Sequence, residues 1–458
     1  MENNKTLDKF TMFAAKLGNQ VHLRSLRDGF AILMPAFILA GIAVLINNVV
    51  LPWFWDAGTP ELWTAQYWGR MVTNGTLNIA SLMTAPMIAY SLAKNKHFKN
   101  PIAAAALAMS VLITLMPFYS NITPVGGTAD EAIRAMSLVT FANLGTHGMF
   151  AGIIVGLVAT ELFMKLSSVK QLQISLGEGV PPQVAASFSG LLPVMMVISL
   201  FAGISMFLFT VFETNIITLI ATMIQAPLQG VTTSLWGAVL IYTVGNFIFT
   251  LGIHQTIING TLLMPFAMIN MNENMELFAA GYSATEVPHI ITNVFIPTFG
   301  MIGGTGSTIA LIIATLLFGK LKSNKNVARL AAAPGLFNIN EPVIFGYPIV
   351  FNLPMMIPFT LLPSLGVIFA YLATAAGFMN RTVVMIPWTT PPLLSAFLAT
   401  GGDWRAVVVQ LIIIVGGVFL YLPFMKISER TTAQILEMEE KENTVEVDVL
   451  DTVEAEQA

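Results

Sequence analysis

The 458 residues are 55% hydrophobic and only 10% charged, with a formal net charge of -4 and no cysteine. Soluble domains carry about 25% charged residues, so this composition excludes an ordinary soluble globular protein. The lack of cysteine excludes disulfides, thiolate metal sites and a cysteine nucleophile within these residues.

In the first 27 residues Lys5, Lys9, Lys16, Arg24 and Arg27 interleave with Phe10, Phe13, Leu17 and Val21 at roughly helical spacing. Segment 1–27 therefore reads as an amphipathic helix lying on a membrane surface. The first long apolar run begins only at Gly29 and no small-residue cleavage site follows it, which argues against a cleaved signal peptide. That run reaches Val50, and others fall near 102–118, 188–212, 303–318 and 405–425. Each is about as long as a bilayer core requires of a helix, roughly 17–25 residues. Spanning segments must be helical, because open strands would leave backbone groups unpaired in lipid. The expectation is an all-α polytopic membrane protein with about ten transmembrane helices. They fall near 28–50, 73–93, 102–118, 146–165, 188–212, 232–253, 256–271, 291–318, 349–376 and 405–425.

Basic residues sort the loops. Lys94, Lys96 and Lys99 follow the second span, Lys165 and Lys170 the fourth, and Lys426 and Arg430 the last. Lys320, Lys322, Lys325 and Arg329 form a further cluster, while loops 51–66 and 119–133 hold Asp56, Glu61, Asp130 and Glu131 but no Lys or Arg. Both termini are therefore expected in the cytoplasm. Two apolar segments, 331–347 and 382–401, are broken by Pro and Gly and flanked by spans. Such segments read as re-entrant hairpins that build a transport site. The polar stretch "SVKQLQISLGEGVPPQVA", 168–185, reads as a cytoplasmic linker. It divides an N-terminal transmembrane half, 28–185, from a C-terminal half, 186–426. The acidic tail 427–458 is expected to be a helical stub followed by disorder. No fixed-period repeat is visible.

Glu341 is the only acid between Glu286 and Asp403, inside "APGLFNINEPVIFGYP". Pro342 biases it away from helix, so extended or broken backbone is expected there. With Asn338 and Asn340 beside it, the group suits a hydroxyl-rich ligand. The competing reading is a carboxylate that caps a helix end or pairs with a loop arginine. His254, in "GNFIFTLGIHQTIING", is the only ionisable group, tyrosine aside, between Glu213 and Glu273. Its imidazole can move a proton near neutral pH, or simply bond a carbonyl and lock a helix break. Trp388, in "VMIPWTTPPLL", can stack on a sugar ring, or belong to an interfacial belt. His147 opens the fourth span, where an interfacial or packing role competes with ligand contact. "GGTGS", Gly303 to Ser307, lacks the Walker lysine and reads as close helix packing. The cluster from Lys320 to Arg329 reads as a positive-inside loop that could also receive an acidic cytosolic partner. No paired acids stand at metal spacing and no nucleotide motif survives its context, so neither metal nor cofactor is expected.

The stretch "GLFNINEPVIFGYPIVFN" resembles the signature of enzyme IIC, the sugar-transporting membrane subunit of the bacterial phosphotransferase system. The similar branch is lactose/cellobiose/diacetylchitobiose, within the EIIC glucose superfamily. "RSLRDGFAILMP", "VLINNV", "GIH" and "PWTTP" fit the same pattern in order, over residues 1 to about 435. The resemblance implies a ten-helix homodimer in the bacterial cytoplasmic membrane. Its N-terminal half makes the dimer scaffold, and its C-terminal half holds a disaccharide between two hairpins. It implies phosphorylation of the sugar by a phosphocysteine on a separate IIB protein, itself served by IIA. Glu341 and His254 would then act at the hydroxyl to be phosphorylated, with Asn338 and Asn340 bonding hydroxyls and Trp388 stacking. Relatives often have Trp five residues before the histidine and Gly just after it; here those positions are Phe249, which can still stack on the sugar but cannot donate a hydrogen bond, and Gln255, which adds a polar group to the substrate site. The implied function is a permease for a β-linked disaccharide such as cellobiose or diacetylchitobiose. A proton-coupled sugar symporter, with Glu341 and His254 as proton relay, and a non-transporting sensor are the rivals.

Overall fold

Apolar runs become helices here, as lipid demands of backbone groups with no water to bond. The structure, a computed structural model, describes residues 20–117, 119–122, 132–174, 188–347, 349–350 and 352–457, with the backbone alone from 432 on. Among the described residues six helices are long and apolar enough to cross a membrane: Val21–Trp53, Tyr67–Asn95, Thr146–Ser167, Leu191–Phe212, Leu353–Ala375 and Trp404–Thr431. The bent pair Ile216–Thr232 and Leu235–Phe249, turning 66° between them, makes up to a seventh.

The N-terminal body is built from α1 (Val21–Leu45), α2 (Ala80–Asn95), α3 (Pro101–Thr114), α4 (Met149–Ser167) and α5 (Leu191–Phe212). Phe30 and Phe37 of α1, Ile88 and Leu112 of α2 and α3, Val155 and Phe163 of α4 and Val197 of α5 share one buried cluster. Small residues let the backbones close up. A Cβ on Gly156 would stand 2.8 Å from the Ala85 carbonyl, and one on Gly29 would stand 2.8 Å from Ile88 Cγ1. Helix α1 begins at Val21, where Gln20 Oε1 accepts from the Leu23 N–H at 2.9 Å. Residues 21–27 are thus the first two turns of the span rather than part of a separate surface helix; residues 1–19 lie outside the described part. At this end His22 Nε2 sits 2.6 Å from Glu161 Oε1, which Lys96 also pairs, tying α1 and α2 to α4.

The C-terminal half breaks its helices repeatedly. It contains α6 (Leu235–Phe249), α7 (Thr256–Leu262), α8 (Met264–Ala279), α9 (Phe295–Gly300), α10 (Ile309–Phe318), α11 (Lys322–Gly335), α12 (Glu341–Gly346), α13 (Leu353–Ala375) and α14 (Trp404–Gln457). The expected span 256–271 is split at Leu263, ahead of Pro265 in the first turn of α8. The expected span 291–318 is split between α9 and α10, where Gly303, Gly304, Gly306 and Ser307 all have positive φ. No helix survives that backbone, so "GGTGS" is a loop rather than a helix-packing motif. The segments 331–347 and 382–401 are broken: α11 ends in a turn before α12, and 382–393 is irregular ahead of the short helix Leu394–Ala399.

Two further differences concern the loops and the tail. Loop 119–133 contributes a small antiparallel hairpin, β1 (Tyr119–Ile122) on β2 (Ile133–Met136), with Tyr119 opposite Met136. Where a helical stub followed by disorder is expected, α14 runs on as helix to Gln457. Its Glu, Leu, Met and Gln are good helix formers, and a nucleated helix extends without a new nucleation step. Of the linker 168–185, residues 175–185 lie outside the described part.

Candidate functional site

The helix breaks converge on one cavity of about 530 Å³. Its walls come from α1 (Arg27, Phe30, Ala31, Met34), from the α6–α7 break (His254, Gln255, Thr256), from the glycine loop (Met301, Ile302, Thr305), and from both broken segments (Asn338, Asn340, Glu341; Met385 to Trp388). The cavity is thus shared with the first span, and does not lie between the two C-terminal hairpins alone.

His254 reaches the cavity because α6 stops at Phe249 and Gly252 turns the chain at φ +88°. Its Nδ1 accepts from the Thr256 backbone N–H at 3.3 Å and lies 2.5 Å from Thr256 Oγ1. In the neutral ring that places the proton on Nε2. The Phe249 ring stands 4.9 Å from the imidazole and 5.8 Å from Phe359. Phe249 backs the histidine and does not line the cavity, which differs from a stacking role on the ligand. The neighbouring Gln255 is buried; its Nε2 donates to Thr305 Oγ1 at 3.2 Å and its Oε1 accepts from Asn259 Nδ2 at 2.5 Å. It fastens α7 to the glycine loop.

Asn338 joins three segments. Held at φ +60°, it accepts the Gly303 N–H on Oδ1 at 2.7 Å and donates from Nδ2 to the Trp388 carbonyl at 2.5 Å. Asn340 donates to the Thr305 carbonyl at 2.7 Å and to Thr308 Oγ1 at 3.0 Å. A Cβ on Gly304 would fall 2.4 Å from Asn340 Cγ, so only glycine admits this contact. Both asparagines spend their amide donors on the protein's own loops. Both also line the cavity, and their bonds tie its loops together, which "N-x-N" beside an acid does not reveal.

Glu341 opens α12, with Pro342 in the first turn, so its backbone is helical rather than extended. Proline costs little there because a first-turn N–H has no helical partner to lose. The carboxylate is exposed to the cavity, and among the described residues it makes no hydrogen bond or ion pair. Neither a loop arginine nor a helix end takes it. It shares the cavity wall with His254 and Arg27. Trp388 also lines the cavity, with 53% of its surface exposed. His147 is exposed on the turn Thr146–Gly148 at the start of α4 and does not line it.

Other wall residues escape a sequence reading. Gln410 of α14 is buried and donates to the Thr298 carbonyl at 2.6 Å and to Ser395 Oγ at 3.1 Å. A lone glutamine in "VVVQLIII" was the available signal. Arg27 was masked by its place in a basic run, and Asn259, Asn293 and Thr305 are too ordinary to single out.

This geometry can hold a neutral, hydroxyl-rich molecule beside one carboxylate and one imidazole, with an aromatic face opposite. Comparison with known proteins agrees. Residues 27–363 match the family described as Phosphotransferase system, EIIC. The chain is 30% identical to the lichenan permease IIC component of Bacillus subtilis, covering 93% of this chain and 94% of that one. It is 31% identical to the cellobiose-specific EIIC component of Geobacillus stearothermophilus, covering 93% and 94%. A crystal structure of ChbC, the IIC component of the N,N'-diacetylchitobiose-specific phosphotransferase system, superposes with a TM-score of 0.85 at 31% identity, covering 94% of this chain and 99% of that one. The chain belongs to the EIIC family of phosphotransferase-system sugar permeases.

Proposed function

We propose that this chain binds a β-linked disaccharide, cellobiose or a near relative, in the 530 Å³ cavity and delivers it inward as its phosphate. The observation that carries this is the convergence of His254, Glu341 and Trp388 on one cavity through three separate helix breaks. The volume lies within the roughly 300–1,000 Å³ usual for small-molecule sites.

The chemistry follows from the residues present. Glu341, unpaired, accepts the proton of the reacting hydroxyl. That oxygen attacks phosphorus on the phosphocysteine of IIB; the P–O bond forms, the P–S bond breaks, and the thiolate leaves on IIB. His254, carrying its proton on Nε2, donates to an oxygen of the sugar or of the incoming phosphoryl group. Trp388 stacks on a sugar ring. The site residues Asn338, Asn340, Gln255 and Phe249 act behind these, and His147, away from the cavity, takes no part in this step.

The wider architecture belongs to the same reading. Ten spans result when the helices Pro101–Thr114, Thr256–Leu262 with Met264–Ala279, and Phe295–Gly300 with Ile309–Phe318 are each counted as crossing. The segments 331–347 and 382–401 are then re-entrant, both termini are cytoplasmic, and the N-terminal half is the scaffold of a homodimer. Helix α5 is counted with that scaffold, because Val197 and Phe201 are buried in its cluster. The basic helix α11, with Lys322, Lys325 and Arg329, leads directly to Asn338 and offers phosphorylated IIB a landing surface.

The test is uptake of radiolabelled cellobiose into vesicles holding the protein, with and without phosphorylated IIB. Labelled sugar phosphate that forms only with phosphorylated IIB is the expected result. Accumulation of unmodified sugar on a proton gradient would overturn it and make Glu341 and His254 a proton relay.

A further inference from the structure

The wall contributed by α1 contains a cation that the proposed chemistry has not used. Arg27 stands at the end of the second turn of α1 and lines the cavity with His254, Thr256 and Glu341. Its stem passes over α7 at Gly260, where an added Cβ would lie at ordinary contact distance, 3.7 Å, from Arg27 Cδ. Its charge reaches the His254 ring. Yet the guanidinium is weakly engaged. The nearest acid oxygen, Asp28 Oδ1, is 3.6 Å from Nη2, too far for a good hydrogen bond. Asp28 is moreover shared with Arg24 at 3.7 Å and accepts from Asn95 Nδ2 at 3.0 Å. Among the described residues Arg27 makes no hydrogen bond, which leaves its planar fork of donors free.

A neutral sugar has no need of a free guanidinium beside its site, and a cavity that already holds the Glu341 carboxylate is a poor place for a phosphate dianion. We propose that Arg27 binds the phosphoryl group, as it arrives on the sugar hydroxyl and in the phosphosugar product, through paired N–H donors. Arginine matches phosphate oxygens two at a time, and such charge-assisted bonds are about twice as strong as neutral ones. Arg27 offsets the repulsion between Glu341 and the incoming phosphate, which lowers the cost of placing the phosphoryl group at the sugar hydroxyl. The residue acts on a group the substrate lacks, so it contributes to the transition state and product more than to the sugar complex.

This inference rests on the reading of the site as one for a phosphorylated disaccharide, and its test separates the two. Binding of cellobiose and of cellobiose monophosphate to the detergent-solubilised protein is measured by titration calorimetry for wild type, Arg27→Gln and Arg27→Lys. The quantity read is the ratio of the two affinities. In Arg27→Gln the ratio is expected to shift against the phosphosugar by about tenfold to a hundredfold, the size of a lost charged hydrogen-bond pair. Arg27→Lys, which keeps the charge without the fork, is expected to fall between. Rising salt should weaken phosphosugar binding to the wild type and spare cellobiose. An unchanged ratio in Arg27→Gln, or equal weakening of both ligands, would overturn the role and leave the sugar site standing. Because the salt series uses wild type alone, its failure to discriminate the ligands would count against Arg27 even if a variant misfolds. Absence of both cellobiose binding and sugar phosphate formation in wild type would overturn the substrate reading, and this inference with it.

Discussion

The two halves of the chain solve the same solvent problem in opposite ways. Helices α1 to α4 lie close by deleting side chains: Gly29, Gly152 and Gly156 bring backbones against Ile88, Ser81 and Ala85. Most of their interface is buried apolar side chains, with a polar cluster of His22, Lys96 and Glu161 at one end. The C-terminal half uses glycine for the reverse purpose. Gly252, Gly303, Gly304 and Gly306 take positive φ and end helices inside the apolar layer. The backbone groups so released are bonded by Asn338, Asn340 and Gln410, which join breaks far apart in sequence. Irregular backbone at membrane depth is tolerated only where it is buried in protein or lines a cavity, and here it does both. The lesson is that close packing gives a rigid body, while broken helices stitched by amides give a site.

The sharpest way to break this contrast is to remove chemistry without touching the stitching. Glu341→Gln is expected to lower sugar phosphorylation by on the order of 10²–10⁴-fold, the usual worth of a positioned base. Its melting temperature should move by under about 2 °C, since the carboxylate bonds nothing in the protein. A variant with wild-type turnover in the phosphorylated-IIB assay would remove Glu341 from the mechanism. Next in size is Asn338→Ala, which frees the Gly303 N–H and the Trp388 carbonyl together. Two unsatisfied groups cost about 1–3 kcal/mol each, so cellobiose affinity should fall roughly tenfold to a hundredfold as the three segments part. Calorimetric titration reads this directly. A smaller, paired effect follows for glycine. Gly304→Ala overlaps Asn340 at an unfavourable φ and should lower affinity about tenfold, whereas Gly156→Ala should lower the melting point and leave affinity within about threefold. If both variants behave alike, the two halves are not mechanically distinct.

How much of this was legible beforehand divides along the same line. Long apolar runs and lysine placement disclose the helices of the N-terminal body, because burial in lipid is a matter of composition. Glu341, His254 and Trp388 stand out for the complementary reason: a charge or an interrupted aromatic in an apolar stretch needs an explanation. The breaks are harder. Nothing in "GGTGS" distinguishes glycine that lets helices touch from glycine that stops one; the decision is made by Asn340 and Phe359, which lie elsewhere in the chain and occupy the space a Cβ would need. The backbone bonds of Asn338 and Asn340 were hidden likewise, since an amide bonds a ligand or a backbone with equal ease and the sequence does not say which loops come near. Arg27 shows the limit of loop-charge rules. Its charge reads as one more basic residue of the N-terminal run, but its place on a cavity wall depends on α7 lying against α1.

Trp388 offers the finest cut between site and stitching, because one residue takes part in both through different atoms. Its carbonyl is held by Asn338, while its ring faces the cavity. A side-chain replacement leaves the carbonyl where it is. Trp388→Phe keeps an aromatic face and loses the indole N–H, so affinity for cellobiose should fall only about threefold to tenfold, the worth of one net hydrogen bond. Trp388→Ala should cost more, since the stacking surface goes as well. Neither change should shift thermal unfolding much, because Trp388 is 53% exposed. A fall in melting temperature that tracks the loss of affinity would mean that the ring braces segment 382–393, and that the division between ligand-facing ring and structural backbone does not hold at this position.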